Sequence, residues 1–158
     1  MTTTHPTLGE ARLPSNPLLS EVLSLVSKQK TKAKKIQTLK QYESLHLKSV
    51  LIWNFDESVK SMLPDGDVPF KKNDAPAGTE HLHLAYEWKK LYNFVKGGND
   101  ILRPMKREQL FMQLLEGLHP DEAEIICLVK DKNLKKKYKL TRAVVEEAFP
   151  DIQWGNRS

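Results

Sequence analysis

Apolar residues recur at intervals of three and four through most of this chain, and no other feature limits the possible folds as strongly. The first such run forms one face of a helix that reaches about residue 29, and it consists of Leu18, Leu19, Val22, Leu23 and Val26. Asn16 and Pro17 precede this run, and they predict an N-cap followed by a proline in the first helical turn.

Six further segments carry helical patterns and helix-end signals. They are about 31–41, Glu43 to Phe55, the stretch from a Thr79 cap to the Gly97-Gly98 pair, the stretches that begin at Pro104 and at Pro120, and the stretch from a Thr141 cap to Pro150. Residues 43–55 are apolar nearly all round, which predicts the central helix; a strand over 50–55 is the competing interpretation. Residues 63–79 hold three prolines and two glycines and predict the one long loop.

This pattern has no alternating strand signal and no internal repeat, so it predicts an all-α fold of seven helices in a single domain. A length of 158 residues suits one domain. We expect a globular part over 15–153, a flexible N-terminal tail over 1–14 and a C-terminal tail over 154–158. No run approaches 18 uncharged apolar residues and no secretory signal pattern precedes the first helix, so we expect no membrane partner.

Positive charge is concentrated in two segments, and this distribution matters more than the net charge of +5. The first basic segment, residues 28–40, holds six lysines and no acid. The second basic segment, residues 130–142, holds six lysines and Arg142 against Asp131 alone. Each segment therefore carries +6, whereas the rest of the chain has 12 basic and 19 acidic residues. Two cationic segments on an acidic body indicate a localised surface for a polyanion.

Both basic segments lie at predicted helix junctions, where the free N–H groups of helix N-termini suit phosphate oxygens. Lysines supply charge without discriminating between bases, so we expect contacts to the nucleic-acid backbone. Thr141, with the amides after it, and Arg142 add further phosphate contacts. A solvated charged surface is the competing interpretation. The candidate DNA-binding residues are Lys28, Lys30, Lys32, Lys34, Lys35, Lys130, Lys132, Lys135, Lys136, Lys137, Lys139, Thr141 and Arg142.

Other residues that could carry chemistry have simpler structural interpretations. His81 and His83 would point about 200° apart on a helix and could not hold one metal ion together. Cys127 lies in an apolar helix and is interpreted as ordinary packing. The aromatic residues are expected in the core, and Tyr138, among lysines, is either an anchoring or a base-stacking ring. The sequence has no glycine-rich phosphate loop and no nucleophile–base pattern, so we expect no enzymatic activity, no metal and no cofactor.

Two stretches resemble the helical N-terminal DNA-binding domain of ATP-dependent DNA ligases, particularly the T4-phage type. The first runs from Leu18 through Lys30 into the basic and apolar helices that follow, and the second runs from Leu114 to Asp131 and from Leu140 to Ile152. They bracket residues 17–152, although 63–103 matches only as a loop followed by a helix. The whole chain also resembles an uncharacterised family of small proteins from T4-like phages, including those of marine cyanobacteria.

The ligase resemblance implies a grip on duplex DNA across the minor groove, through backbone amides and basic side chains at helix junctions. The matching positions are Lys28, Lys30 and Lys32 at the first junction, and Lys130 with residues 135–142 at the last. The ligase domain usually has a glycine-bearing turn before its final helix, through which its backbone approaches DNA closely. This chain has residues 133–137 at that position, so the charge of lysine side chains would replace the close approach of the backbone to DNA. The Lys-x-Asp-Gly motif that ligases adenylate does not occur in the sequence.

These observations predict a non-catalytic, sequence-nonspecific duplex DNA-binding protein, encoded by a phage and acting in the host cytoplasm in DNA replication, repair or packaging. The alternative is a protein-binding adaptor or virion component, whose acidic body and loop 63–79 would contact a phage or host protein. The two basic segments must lie on one face to act together, which a tertiary structure tests. The sequence leaves the oligomeric state and the preference for duplex or single strand open.

Overall fold

Seven α-helices and no β-strand make up the part of the chain that the computed structural model describes, residues 13, 16–76 and 81–157. The all-α, single-domain prediction is confirmed, since one cluster of buried side chains joins the helices. The predicted N-terminal tail, except Leu13, and the predicted Thr79 cap lie outside the described residues. The helices are α1 (Leu19–Lys28), α2 (Lys32–Gln41), α3 (Leu45–Phe55), α4 (Leu84–Glu87), α5 (Pro104–Gly117), α6 (Pro120–Lys130) and α7 (Arg142–Ala148).

Most of the helix starts follow from local capping. Hydroxyl groups of Thr31, Ser44 and Thr141 accept backbone N–H groups in the first turns of α2, α3 and α7, so the predicted Thr141 cap is confirmed. The predicted Asn16 cap is wrong, because α1 begins only at Leu19. The first amides of α1 are instead satisfied by carboxylates: Glu21 accepts the N–H of Leu18 at 2.8 Å, and Glu122 of α6 accepts that of Leu19 at 2.9 Å.

The centre of the core lies where α3 packs against α6. Leu47, Val50 and Leu51 of α3 have no exposed surface, and α6 contributes Ile125 and Ile126. The residue pattern that favoured a helix over a strand for this segment was therefore correct. Burial of continuous apolar surface on facing helices is the main stabilising contribution in a domain of this size.

The segment predicted as one long helix before Gly97-Gly98 is mostly a 3-10 helix, Trp88–Phe94, which follows the single turn of α4. A 3-10 helix has three residues per turn, so Leu91 and Phe94 lie one above the other and both enter the core. Two tyrosines do not enter the core: Tyr86 of α4 is 75% exposed and Tyr92 of the 3-10 helix is 52% exposed, and the expectation that they are core residues was wrong. Burial in this segment therefore follows a spacing of three residues, instead of the 3.6-residue spacing of an α-helix.

The long loop lies where it was predicted, although it begins earlier, directly after α3. Two isolated bridges hold the chain on either side of the 3-10 helix: Ser61 pairs with Val95, and Leu82 pairs with Leu118. None of the helices in the described ranges is long and apolar enough to cross a membrane.

Two residues of the predicted C-terminal tail, Gly155 and Arg157, are bound to the domain. The carboxylate of Asp56, at the end of α3, accepts hydrogen bonds from the Gly155 N–H at 3.0 Å and the Arg157 guanidinium at 2.9 Å. Burial by itself raises the pKa of Asp56, but hydrogen bonds from Ser58, Gly155 and Arg157 outweigh it and lower the pKa to about 2. Gly155 and Arg157 therefore brace the end of the central helix.

Candidate nucleic-acid interface

The two basic segments meet, although about a hundred residues separate them in sequence. The Lys139 N–H donates to the Ser27 hydroxyl at 2.7 Å, and the Lys35 ammonium donates to the Lys139 carbonyl at 2.8 Å. Helix α2 packs along α7 beside these contacts. We call Ser27, Lys35 and Lys139 the seam, because they join the first basic segment to the second.

Lys35 belongs to the structure of the seam, and the prediction that it contacts DNA is not supported by its position. Its ammonium also lies 3.3 and 3.4 Å from the carbonyl oxygens of Val26 and Ser27 at the end of α1. Burial lowers the pKa of Lys35, and the positive charge of Lys139 lowers it further. A cation at the C-terminal end of a helix is stabilised by the unpaired carbonyl groups there.

Lys130 was predicted to contact DNA, and its position does not support this prediction because its side chain has no exposed surface. The ammonium donates to the carbonyls of Pro64 and Gly66 at 2.7 and 3.0 Å, and to Asp131 at 2.7 Å. All three donor directions of the ammonium are thereby used. Lys130 fastens the long loop to the end of α6.

The ammonium of Lys132 is not available to the interface either, because the C-terminal end of α3 binds it. Its ammonium donates to the carbonyls of Trp53 and Asp56 at 2.5 and 2.9 Å. Lys132 has a positive φ of 58°, a conformation that turns the chain sharply after α6. Burial lowers its pKa, with the nearby charge of Asp56 acting in the opposite direction. Its role is to hold α3 against the turn.

Three further candidates are exposed but paired with glutamates. Lys32 lies 2.6 Å from Glu147, and Lys137 contacts Glu124, whose hydrogen bond raises the pKa of Lys137. Arg142 lies 3.1 Å from Glu146 of its own helix and 4.6 Å from the centre of the Trp154 ring. Such exposed pairs are weak, so a phosphate can displace the glutamate.

The remaining candidate lysines are exposed, and no acceptor for their ammonium groups is found within the described ranges. We call them the open lysines: Lys28, Lys30, Lys34, Lys135, Lys136 and Lys139. Lys40, in the first basic segment, is open in the same sense. The Thr141 hydroxyl caps α7 at 3.4 Å from the Val144 nitrogen, and among the described residues its proton has no acceptor, which leaves it available to a phosphate oxygen.

A small groove shows how closely the two segments approach each other. Lys28 and Lys137 line the same groove of about 280 Å³, together with Glu21, Asp121 and Tyr138. The Tyr138 ring is only 3% exposed, so of the two interpretations of this residue the structure selects the anchoring ring. The surface next to the seam is therefore rich in lysine, with acidic residues between the lysines.

The other chemically interesting residues lie elsewhere. Burial raises the pKa of the Cys127 thiol to about 11, which keeps it protonated near neutral pH. The His81 ring packs against His119 with 5.2 Å between centroids, whereas His83 faces Tyr86, so the two histidines of the pair have different neighbours. In the part of the chain with described coordinates, no three His, Cys, Asp or Glu residues are grouped so as to hold a metal ion.

The sequence contains a third basic stretch that was not among the predicted binding segments. Residues 89–107 hold four lysines and two arginines against Asp100 alone, but spread over a longer window than the two basic segments. Counting charge over about twenty residues would have found it. Its members have different environments: Arg107 is buried, Lys90 pairs with Glu87, and Lys89 and Lys96 line an apolar groove.

Comparison with models of known protein families gave a match over most of the chain. The model of DUF6433, a family of unknown function, matches residues 22–136. That range includes the whole of the first basic segment and reaches Lys136 in the second. No curated protein and no solved structure matches the chain.

Proposed function

The chain belongs to DUF6433, a family of unknown function, and we propose from its surface that it binds duplex DNA through the phosphate backbone, without catalysis and without reading sequence. The observation that carries this proposal is the seam, which joins two segments of charge +6 through the Lys139 contacts to Ser27 and Lys35. An excess of positive charge assembled from two distant parts of a chain is the electrostatic pattern expected for a polyanion partner.

The chemistry of the open lysines supports backbone contacts rather than base recognition. An ammonium is a point charge on a flexible stem, whereas base recognition uses bidentate side chains such as arginine, asparagine or glutamine. The one arginine of the two basic segments, Arg142, is held by Glu146 and Trp154. We therefore expect little difference in affinity between duplexes of different sequence.

The biological setting extends the same proposal. The resemblance to the ligase DNA-binding domain suggests a grip across the minor groove. The resemblance to proteins of T4-like phages suggests DNA replication, repair or packaging in the host cytoplasm. The competing function is a protein-binding adaptor or virion component, for which the lysines would face an acidic partner.

Salt titration tests the proposal quantitatively. If the six open lysines of the candidate set each neutralise one phosphate, the logarithm of the association constant falls with the logarithm of salt concentration with a slope of about −5. Fluorescence anisotropy with a labelled duplex of about 20 base pairs, starting at ~50 mM salt, measures this slope. Absence of duplex binding at that lowest salt concentration would exclude the proposal and leave the adaptor.

A charge-matched pair of variants separates a local interface from general attraction. Lys135→Ala, Lys136→Ala and Lys139→Ala together should weaken binding by about a hundredfold, equally on two duplexes of unrelated sequence. The control replaces three exposed lysines elsewhere, Lys71, Lys72 and Lys106, with alanine and should weaken binding only severalfold. Equal losses in both variants would contradict a localised interface, and unequal losses on the two duplexes would indicate base recognition.

A further inference from the structure

A second surface, which shares no residue with the seam, is an apolar groove of about 340 Å³ between α3 and the 3-10 helix. Its apolar lining includes Ile52 of α3 and the partly exposed rings of Trp88 and Tyr92, with Val95 at one end. We call this surface the aromatic groove. Its volume is within the range of about 300 to 1,000 Å³ that is usual for ligand sites in proteins.

The charge of the aromatic groove has one sign. Lys89, Lys96 and Arg157 line it, and no carboxylate is among its lining residues in the described ranges. Arg157 is held in place by Asp56 at 2.9 Å, whereas the ammonium groups of Lys89 and Lys96 have no acceptor within those ranges. An apolar floor between free cations fits a ligand that combines an apolar group with negative charge.

One wall of the groove is a tightly held turn. A Cβ atom on Gly98 would lie 2.0 Å from the Tyr92 carbonyl oxygen, so this close approach requires glycine. Asp100 accepts the Gly97 N–H at 2.7 Å. The buried Arg107 guanidinium holds the same region by donating to the carbonyls of Asn93, Asn99 and Leu102. A preformed wall reduces the entropy lost when a ligand binds.

We infer that the aromatic groove docks a short acidic peptide segment of another protein, with an apolar side chain on Ile52, Trp88 and Tyr92 and carboxylates on Lys89 and Lys96. The alternative occupant, a base of single-stranded nucleic acid, needs hydrogen-bond partners for its polar edge. The mostly apolar lining offers few such groups. A peptide with carboxylates beside a hydrophobic residue can pack that residue on the apolar floor and pair its carboxylates with the lysines. This inference is independent of the proposed DNA interface.

Selection from a library identifies the peptide without assuming its sequence. Random 12-residue peptides displayed on a carrier are selected on the full chain and counter-selected on the Lys89→Glu, Lys96→Glu variant. We expect the survivors to combine a large apolar residue with flanking Asp or Glu. The inference is wrong if no peptide distinguishes the chain from this variant, or if the survivors lack acidic residues.

Anisotropy with the best survivor, dye-labelled, then tests the position of the site. Tyr92→Ala should weaken binding at least fivefold, because it removes an exposed ring from the groove. The control Lys71→Glu, Lys72→Glu makes the same charge change on the long loop and should leave binding within twofold. Circular dichroism establishes that each variant is folded.

Competition distinguishes the two classes of occupant. An excess of a single-stranded thymidine oligomer should not displace the peptide at physiological salt. Displacement of the peptide from the unaltered chain, together with direct oligomer binding that Lys89→Glu, Lys96→Glu abolishes, would overturn the inference and assign the groove to single-stranded nucleic acid. Loss of duplex binding by the variants of Lys135, Lys136 and Lys139, with peptide binding intact, would show that the two surfaces act separately.

Discussion

The two basic segments carry the same charge, but the fold uses their lysines in different ways. Among contacts within the described part of the chain, the first basic segment has only Lys35 bound to backbone carbonyls and only Lys32 in an ion pair. In the second basic segment, Lys130 and Lys132 hold the long loop and the end of α3. The first segment is therefore mainly a surface, whereas much of the second is a structural clamp.

This difference shows that a high density of lysines in a sequence can indicate either an exposed cationic surface or a set of lysines that hold the fold together. A lysine whose stem lies along apolar surface near the ends of helices can satisfy orphan carbonyl groups, and its charge is then withdrawn from the solvent. The first segment lies largely on α2, where the carbonyls of the helix interior are paired within the helix. The second segment spans a turn and a second, short 3-10 helix, Leu134–Lys136, close to the ends of other elements.

The largest expected effect is loss of the buried lysine of the second segment. Lys130→Ala should lower the free energy of unfolding by about 3 kcal/mol, because the Pro64 and Gly66 carbonyls and the Asp131 carboxylate lose their shared donor. Urea denaturation measures this difference. The matched change in the first segment, Lys30→Ala, should alter stability by no more than about 0.5 kcal/mol. Similar losses in both variants would remove the distinction between the segments.

Acid should weaken the same clamp, because Asp56 lies at the end of α3 where Lys132 is bound. The pKa of Asp56 is lowered from 3.8 to about 2 in the folded protein, so its contribution is present above pH 3.8 and is lost as the pH falls towards 2. We expect a loss of about 2 kcal/mol over that range. Asp56→Asn should be less stable at neutral pH and lack this part of the acid dependence. An unchanged difference between the two proteins from pH 6 to about pH 2 would contradict the assignment.

Removing a paired glutamate should make the segments more alike as DNA-binding surfaces. Glu147→Gln frees Lys32 of the first segment, and Glu124→Gln frees Lys137 of the second. Each should raise duplex affinity by about fivefold at ~100 mM salt, since one more ammonium is available to a phosphate. Anisotropy titrations compare the two. A gain in one variant alone would restrict DNA contact to that segment, and no gain in either would count against the proposed interface.

The smallest expected effect is the loss of stability when an exposed ion pair is removed. Lys137→Ala should reduce the free energy of unfolding by about 0.5 kcal/mol or less, because both Lys137 and Glu124 are nearly half exposed to water. Thermal denaturation followed by circular dichroism detects whether the loss is larger. A loss comparable to that of Lys130→Ala would mean that exposure does not separate structural lysines from surface lysines.

Most of the fold could be predicted because its signals are local. Caps such as Thr141, prolines such as Pro104 and Pro120, and apolar residues at helical spacing act within a few residues of each other. The failures occurred where distant groups replaced local ones. At the start of α1 the Leu19 N–H is accepted by the distant Glu122, and no cap from Asn16 is used. The 3-10 helix takes the period that places Leu91 and Phe94 in the core.

The sequence was sufficient to locate the two segments of the candidate interface, but not to predict which of their lysines are exposed. Both basic segments were recognised from charge counts, and the prediction that Lys28, Lys30, Lys34, Lys135, Lys136 and Lys139 bind DNA stays a prediction. Lys35, Lys130 and Lys132 could not be separated from the others, because each has a partner far away in the sequence. The aromatic groove gave no local signal either, since α3 and the 3-10 helix that form it are about thirty residues apart.

By itself the sequence determined the helical class, most helix boundaries and the presence of two cationic segments, because capping, burial and charge act on neighbouring residues. Only the tertiary structure decided that these segments meet at Lys139, and which lysines remain open to solvent. The physical reason is that an ammonium group binds whichever carbonyl or carboxylate oxygen the fold brings within hydrogen-bonding distance, and for Lys35 and Lys130 those oxygens come from residues 104 and 66 positions away.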